Sequence, residues 1–484
     1  MMKGVRNLIE TGKEILNYLS RLGVDYADVR IVKRLKEEIE VKNGILETAV
    51  KNETYGYGIR VLYNGAWGFA SSFDFSQYKK VAEKALIIAK ASAKTNKKRV
   101  ALAPAEIIKA KWSNSYQIDP FLVPFEKKLD LLFTADKTMR EVKGITLTES
   151  SLSFFREDKV FLSSEGTEIE QSILESGGGI TAYAIEGSDI QRRSYPNSFG
   201  GDFRKGGWEF IEDLDLVGHA EKIAKEAVSL LSAEPLPEMV TTLILDGTQL
   251  ALQVHESCGH PTELDRVLGM EASFAGTSFL TLEKRGNFQY GSEIVNIVAD
   301  ATHPYGLGSF GYDDEGIPAQ RSYLVKDGIF VGYLTSRETA TILGEKSNGT
   351  MRADGWNRIP IIRMTNINLL PGNIPFEDLI ASTEEGVYMA VNKNWSIDDK
   401  RLNFHFGCEI AYEIKDGKIG KIYKNPYYTG ITYEFWRSCD AIADEKSWRV
   451  WGVPNCGKGE PIQVARVGHG VSPARFRKVK VGGK

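Results

Sequence analysis

At 484 residues the chain is too long for one ordinary core, so two or three domains are expected. Charged residues make up 26% and hydrophobic ones 42%, and the net charge of -3 gives no electrostatic case for nucleic acid or an anionic membrane surface. Four cysteines make no disulfide framework, the opening Met1-Met2-Lys3-Gly4-Val5-Arg6 lacks a signal peptide's apolar core, and no run reaches membrane length; the expected address is the cytoplasm.

The first predicted element is an amphipathic helix with Leu8, Ile15, Leu16, Leu19 and Leu22 on one stripe and Gly23 at its stop. Strands follow at Val29 to Val32 and Ile39 to Val41, with hairpin turns at Asn43-Gly44 and Asn64-Gly65. Phe75 to Ala93 returns to helical period, and a polar stretch from Lys94 to Pro104 suits a linker. A helix over Pro124 to Lys143 leads into strands at Ile145 to Phe155, Lys159 to Leu162 and Thr167 to Ile185. Gly177-Gly178-Gly179 has no Lys-Ser/Thr after it, so it reads as a bulge or a chain crossing rather than a phosphate loop. Ile211 to Leu231 is predicted as one helix, ending before a boundary at Pro235-Leu236-Pro237.

Beyond that boundary the pattern is strands and turns, with hairpins at Asp327-Gly328 and Asp416-Gly417 and short helices at Ser336 to Leu343 and Phe376 to Ala381. The basic run from Arg475 to Lys480 reads as a solvated face or a charged tail. The fold class is α+β. An N-terminal α+β domain is expected over 1–100, a middle α+β domain over 101–234, and a β-rich domain carrying one metal-binding helix over 235–484.

The chemistry concentrates in Val254-His255-Glu256-Ser257-Cys258-Gly259-His260, which holds two of the six histidines. Two imidazoles can each give a metal one ring nitrogen, and a carboxylate beside them can take a proton from the metal's water. Five residues apart on a regular α-helix, the histidines would diverge by about 140°. Both reach one metal if this turn widens to π form or the helix ends at Gly259. Catalytic zinc takes three protein ligands and keeps one open position. The third is sought among Cys456, Glu263, Cys258, His303, His405 and His469.

His255-Glu256-x-x-x-His260, Glu263, Asp265, Asp314-Glu315-Gly316, Arg363-Met364-Thr365-Asn366 and Cys456-Gly457-Lys458 together resemble the TldD/PmbA family of metalloproteases. So does the opening around Tyr26 to Arg30 and Tyr57 to Val61, which makes the likeness full length; the zinc motif points to the TldD side. The resemblance implies one zinc per chain on His255, His260 and Cys456, with Glu256 as the catalytic carboxylate. It further implies cleavage of short, unfolded or modified peptides, and a homodimer or a heterodimer with a TldE/PmbA-like subunit. His469 departs from the pattern and adds a further donor near Cys456.

In the resulting mechanism Glu256 is general base on zinc-bound water and returns the proton to the leaving amine. Arg363, Asn366 and Tyr323 are the candidates for a donor to the oxyanion. Two rival readings remain. One is a scaffold subunit with a structural zinc, closed by Glu263 or His469. The other is a cysteine hydrolase built on Cys456. Neither rival needs a carboxylate at 256.

Overall fold

The computed structural model describes residues 2–483; Met1 and Lys484 lie outside them, and of residues 2–7 only the helical backbone is described, so the reading of the Met1 to Arg6 opening falls largely outside the described residues. Among the described residues no helix is long and apolar enough to cross a membrane.

The Asn-Gly turns start the architecture. Asn43 (φ 48°) and Gly44 (φ 74°) both adopt left-handed backbone, as a two-residue type I′ hairpin requires, and join β1 (Tyr26–Lys42) to β2 (Ile45–Tyr63). Asn64 and Gly65 repeat the device before β3 (Ala66–Ser72). With β4 (Lys109–Ser113), β5 (Ile145–Ser163), β6 (Glu168–Glu186), β7 (Asp189–Tyr195) and β8 (Asp202–Lys205) these strands form one eight-stranded sheet. Segments 1–100 and 101–234 both contribute strands to it.

The sheet's two faces differ. Val29, Ile31, Ile39 and Val41 of β1 share a face with Leu152, Phe154, Val160 and Leu162 of β5. Helices α1 (Met2–Arg21) and α2 (Tyr78–Thr95) cover one end of it. Helices α3 (Phe125–Arg140), α4 (Trp208–Leu214) and α5 (Leu216–Ser232) cover the other. The opposite face carries charge and meets the C-terminal half through Arg34–Asp354 (2.6 Å), Lys159–Asp314 (2.6 Å) and Glu175–Arg466. A cavity of about 960 Å³ lies between this face and the C-terminal half.

In the C-terminal half five strands close on themselves: Glu385–Ile397, Met239–Leu245, Ala474–Gly483, Pro426–Ile431 and Asn403–Lys415, the last pairing back onto the first. Closure leaves no open edge in this ring. Helix α6 (Gly247–Val254) leaves Met239–Leu245 with every residue buried, and lies against the ring and the hairpin of Arg449–Lys458 with Gln463–Val471. The expected hairpins at 327–328 and 416–417 and the short helices Arg337–Leu343 and Phe376–Ala381 are present.

Three expectations are corrected. The helix over Ile211 to Leu231 is two, because Asp215 turns left-handed (φ 45°) and its carboxylate caps the second by accepting from the Gly218 N–H at 3.1 Å. The strands broken in the pattern by charge are continuous, since Arg156 to Asp158 lie within β5 and Glu157 is paired with Arg34. Arg475 to Lys480 is no tail: it runs inside the ring strand Ala474–Gly483, alternating buried Phe476, Val479 and Val481 with cations, and Arg475 pairs Asp440 at 2.9 Å.

The glycine run marks a crossing, not a bulge, because β5 and β6 keep register through it. A Cβ on Gly179 would stand 2.4 Å from Gly201 Cα and 2.9 Å from the Tyr195 carbonyl. Backbone cannot retreat as a side-chain tip can, so Gly179→Ala is expected to cost about 1–3 kcal/mol. Urea denaturation should show this as a lower midpoint at unchanged slope, and a wild-type midpoint would refute the crossing as a packing constraint.

Candidate metal centre

Asp246 caps α6 by accepting from the Thr248 N–H at 2.9 Å. At His255 the helix takes in one extra residue: the His260 N–H donates to the His255 carbonyl, five residues back, making a π turn over His255–Gly259. Pro261 prevents the wide turn from continuing as ordinary helix. At Gly259 the missing Cβ leaves room for the Met364 side chain, whose Sδ would lie 2.2 Å from one. Widened in this way, the helix brings the two imidazoles edge to face with ring centres 4.9 Å apart.

The hairpin strand Arg449–Lys458 supplies the third group. A register shift between Val453 and Cys456 turns the thiol towards the histidines. Cys456 Sγ lies 3.4 Å from His255 Nε2 and 3.7 Å from His260 Nε2, and one donor atom from each of the three residues falls within 4.8 Å of the others. Zinc bonds of about 2.3 Å to sulfur and 2.0–2.1 Å to nitrogen, set tetrahedrally, separate sulfur from nitrogen by about 3.5 Å. The observed spacing fits that ion.

Each imidazole is held from behind. His260 Nδ1 meets Glu263 Oε2 at 3.0 Å; a carboxylate only accepts, so the proton sits on Nδ1 and Nε2 faces the sulfur. His255 Nδ1 meets His469 Nε2 at 2.7 Å, and His469 Nδ1 meets the Ile367 carbonyl at 3.3 Å. The carbonyl accepts from His469, which therefore accepts from His255, and His255 Nε2 is again the atom aimed at Cys456. Glu263 is fully buried beside Lys458 and Arg266, each 3.5 Å away, and Lys458 also pairs Asp265 at 2.7 Å.

Burial alone would push the Cys456 thiol up, but His255, Arg363 and His260 outweigh it and hold the thiol well below its ordinary value. Arg363 Nη2 donates to Sγ at 3.1 Å and to the Cys456 carbonyl at 2.6 Å. Burial pushes His255 down, yet the adjoining thiolate more than reverses it. Burial keeps His260 and His469 well below the usual imidazole range. A thiolate with an imidazole proton beside it is a site where a cation displaces a proton.

Glu256 lies beside this cluster, its Oε2 2.6 Å from Arg401 Nη1. Arg401 escaped the sequence reading, because Asp398-Asp399-Lys400-Arg401 looks like any charged turn between strands. Its backbone is left-handed (φ 63°), which costs a non-glycine residue roughly 1–2 kcal/mol.

The other candidates are elsewhere. Cys258 is buried beside Tyr290, with its thiol pushed up by burial. His303 packs on Trp448 and His405 on Tyr427. Of the expected oxyanion donors, Asn366 spends its amide on the Asp300 carbonyl and Ser309 Oγ, Arg363 serves Cys456 and the Gln463 carbonyl, and Tyr323 is exposed.

Three models of one family match in chain order: PmbA/TldA metallopeptidase domain 1 over residues 27–89, the central domain over 118–231 and the C-terminal domain over 238–483. A metalloprotease of Methanocaldococcus jannaschii is 31% identical over 91% of this chain and 94% of its own length. A zinc metalloprotease TldD homolog of Saccharolobus solfataricus is 24% identical over 96% of this chain and 97% of its own. The crystal structure of TldE from Thermococcus kodakarensis superposes with a TM-score of 0.71 at 19% identity, covering 99% of both chains, a likeness of fold.

The four cysteines should titrate apart. Burial pushes Cys258, Cys408 and Cys439 up, whereas Cys456 stands well below its ordinary value. A depressed value means thiolate persists on the acid side of neutrality, so at about pH 6 iodoacetamide should alkylate metal-stripped protein at Cys456 first. Mass spectrometry showing even labelling, or none at Cys456 before the other three, would refute the electrostatic reading.

Proposed function

This chain belongs to the PmbA/TldA metallopeptidase family, and we propose that it is a zinc-dependent peptidase that hydrolyses short, unfolded or modified peptides in the cytoplasm. The observation that carries this reading is the meeting of His255, His260 and Cys456 beside Glu256. Two imidazoles and a thiolate are a donor set that zinc accepts with one position left open. Zinc held there would polarise the scissile carbonyl and make a water acidic enough to deprotonate near neutrality.

The chain's own residues do the rest. Glu256 takes the water's proton and hands it to the leaving amine. Glu263 and His469 fix the ring nitrogens that face the metal position. Arg363 keeps Cys456 ionised. The hairpin that carries Cys456 is a two-stranded sheet bridged to Asn366 at Gly468, and Pro454, Asn455 and residues 463–466 line the cavity, where main-chain hydrogen bonds would take an extended peptide. Main-chain hydrogen bonds of that kind accept most side chains but no folded domain. Family membership and the TldE-like fold support a second subunit, identical or TldE/PmbA-like.

The neighbouring Cys456 thiolate and His255 also fit a cysteine hydrolase, and the two readings part under chelation. We expect about one zinc per chain, lost in His255→Ala and His260→Ala, and cleavage of a quenched unstructured peptide that stops on chelation and returns with zinc. Glu256→Gln should retain zinc and peptide but not turn over. Chelator-resistant cleavage, or turnover by that variant, would overturn the proposal. Light scattering should find a dimer at working concentration, and a fully active monomer would remove the partner from the scheme.

A further inference from the structure

Hydrolysis at this centre places negative charge on the substrate's carbonyl oxygen. Of the donors that the sequence offered, Asn366 is engaged, Tyr323 is exposed, and Arg363 spends both Nη atoms on Cys456 and Gln463 and leaves only its Nε–H unpartnered. The turn between strands Glu385–Ile397 and Asn403–Lys415 brings a different one. Arg401 Nη1 is 2.6 Å from Glu256 Oε2, next in sequence to His255, and its charge is felt at both His255 and His260, so the guanidinium lies near the candidate ligands. Its Nε–H is buried with no partner among the described residues.

The turn is built to hold it. Asp398 accepts from the Leu402 N–H at 2.8 Å and the Asn403 N–H at 3.1 Å, and its carbonyl accepts from the Arg401 N–H at 2.8 Å. The Arg401 carbonyl accepts from Thr432 Oγ1 at 2.8 Å, and Thr432 is fully buried. These bonds keep Arg401 at φ 63°, a backbone conformation that suits glycine. Strain kept by surrounding bonds beside a cluster of candidate ligands is the pattern of a residue retained for its side chain.

Resting on the peptidase reading above, we propose that Arg401 is a catalytic residue whose guanidinium donates to the scissile carbonyl oxygen as negative charge forms on it. Water oxygen bonds to the carbonyl carbon, the water's proton passes to Glu256, and the carbonyl π pair becomes the oxygen's negative charge. When that pair returns, the carbon–nitrogen bond breaks, and the amine nitrogen keeps the bonding electrons and takes the proton from Glu256. In the first step negative charge leaves the Glu256 carboxylate and appears on the substrate oxygen. A cation that touches the one and reaches the other follows the charge without moving far, which is the preorganisation that makes such donors effective. The forked guanidinium can keep Nη1 on Glu256 while Nε–H turns to the oxygen.

The test uses full-length, zinc-loaded protein with a quenched unstructured peptide and its phosphinic analogue, whose tetrahedral anionic phosphorus replaces the scissile carbonyl. Arg401→Gly suits the left-handed backbone, and Arg401→Lys keeps the charge without the fork. Both should fold and keep their zinc, with kcat lower by about 10²–10³-fold and KM nearly unchanged. Phosphinic affinity should fall in parallel with kcat/KM, while peptide affinity measured in a Glu256→Gln background stays constant. Methylguanidinium should restore part of the Arg401→Gly rate.

Unchanged phosphinic affinity beside a lower kcat would leave Arg401 a mere holder of Glu256 and overturn the proposal. So would a loss confined to KM, or loss of zinc with the side chain. If wild type cleaves and both variants cleave equally well, this inference alone falls. If wild type does not cleave at all, the peptidase reading falls and takes this one with it.

Discussion

Everything at the centre depends on one helical turn that holds five residues' worth of ring closure where four is usual. Without it His255 and His260 would point about 140° apart. The extra residue frees carbonyls that an α-helix would have used, and buried carbonyls must find partners. They do. Tyr290 OH donates to the Ser257 carbonyl at 2.9 Å, and Thr262 Oγ1 donates to those of Cys258 and Gly259 at 2.8 and 2.9 Å. Trp436 Nε1 donates to Ser257 Oγ at 2.9 Å, which in turn donates to the Gln253 carbonyl. The π turn is therefore a supported conformation, and the missing Cβ of Gly259 lets Met364 close over it.

A second demand follows from burying so much charge. Glu263, Lys458, Arg266, Asp265 and Arg363 stand almost without solvent, an arrangement that contributes little net stability. What it contributes is position. Arg266 pairs Glu263 within the helix turn, whereas Lys458 ties Glu263 and Asp265 to the Cys456 hairpin and to the Ile362 carbonyl, and Arg363 donates to the Cys456 carbonyl. Removing Lys458 would leave the buried Asp265 carboxylate without its cation, a loss far larger than the pair's own worth. Two of the three candidate ligands are tied into this network, His260 through Glu263 and Cys456 through Arg363.

How much of this was legible in the chain depends on range. Asn43-Gly44, Asn64-Gly65, Asp327-Gly328 and Asp416-Gly417 announce their hairpins because a left-handed pair is a local matter of two residues. The spacing of Ala220, Ile223, Ala224, Ala227 and Leu230 likewise carries the buried face of its helix. His255, Glu256 and His260 stand out because six neighbouring residues contain them all. The break at Asp215 hid inside a good helical pattern, since one left-handed aspartate leaves the periodicity on either side intact. Arg156 to Asp158 looked like a gap because their partners lie outside the local window: Arg34, 123 positions from Glu157, and Asp119, 37 from Arg156. Arg401 was invisible for the same reason: 145 residues separate it from Glu256, and only strand register brings the two together. His469 was noticed as a spare donor, and its place behind His255 depends on the hairpin's pairing.

The same distinction between local and distant explains why the N-terminal half has one apolar and one charged face. Its helices are satisfied by Val29, Ile31, Leu152 and Phe154, a pattern any half-buried sheet would show. The second face pairs with the C-terminal half through Arg34, Lys159 and Glu175, and these partners sit on the loops and hairpin around the metal centre: Asp354, Asp314 and Arg466. An apolar contact there would have closed the space between the halves and dried it. Ion pairs spaced along the strands leave a cavity with charged side chains in its wall beside Asn455 and Arg363, the former next in the chain to Cys456. A peptide backbone gives up its water only where polar groups replace it. A charged wall beside the candidate ligands therefore suits the peptidase reading, in which such groups would replace the water that a substrate backbone gives up.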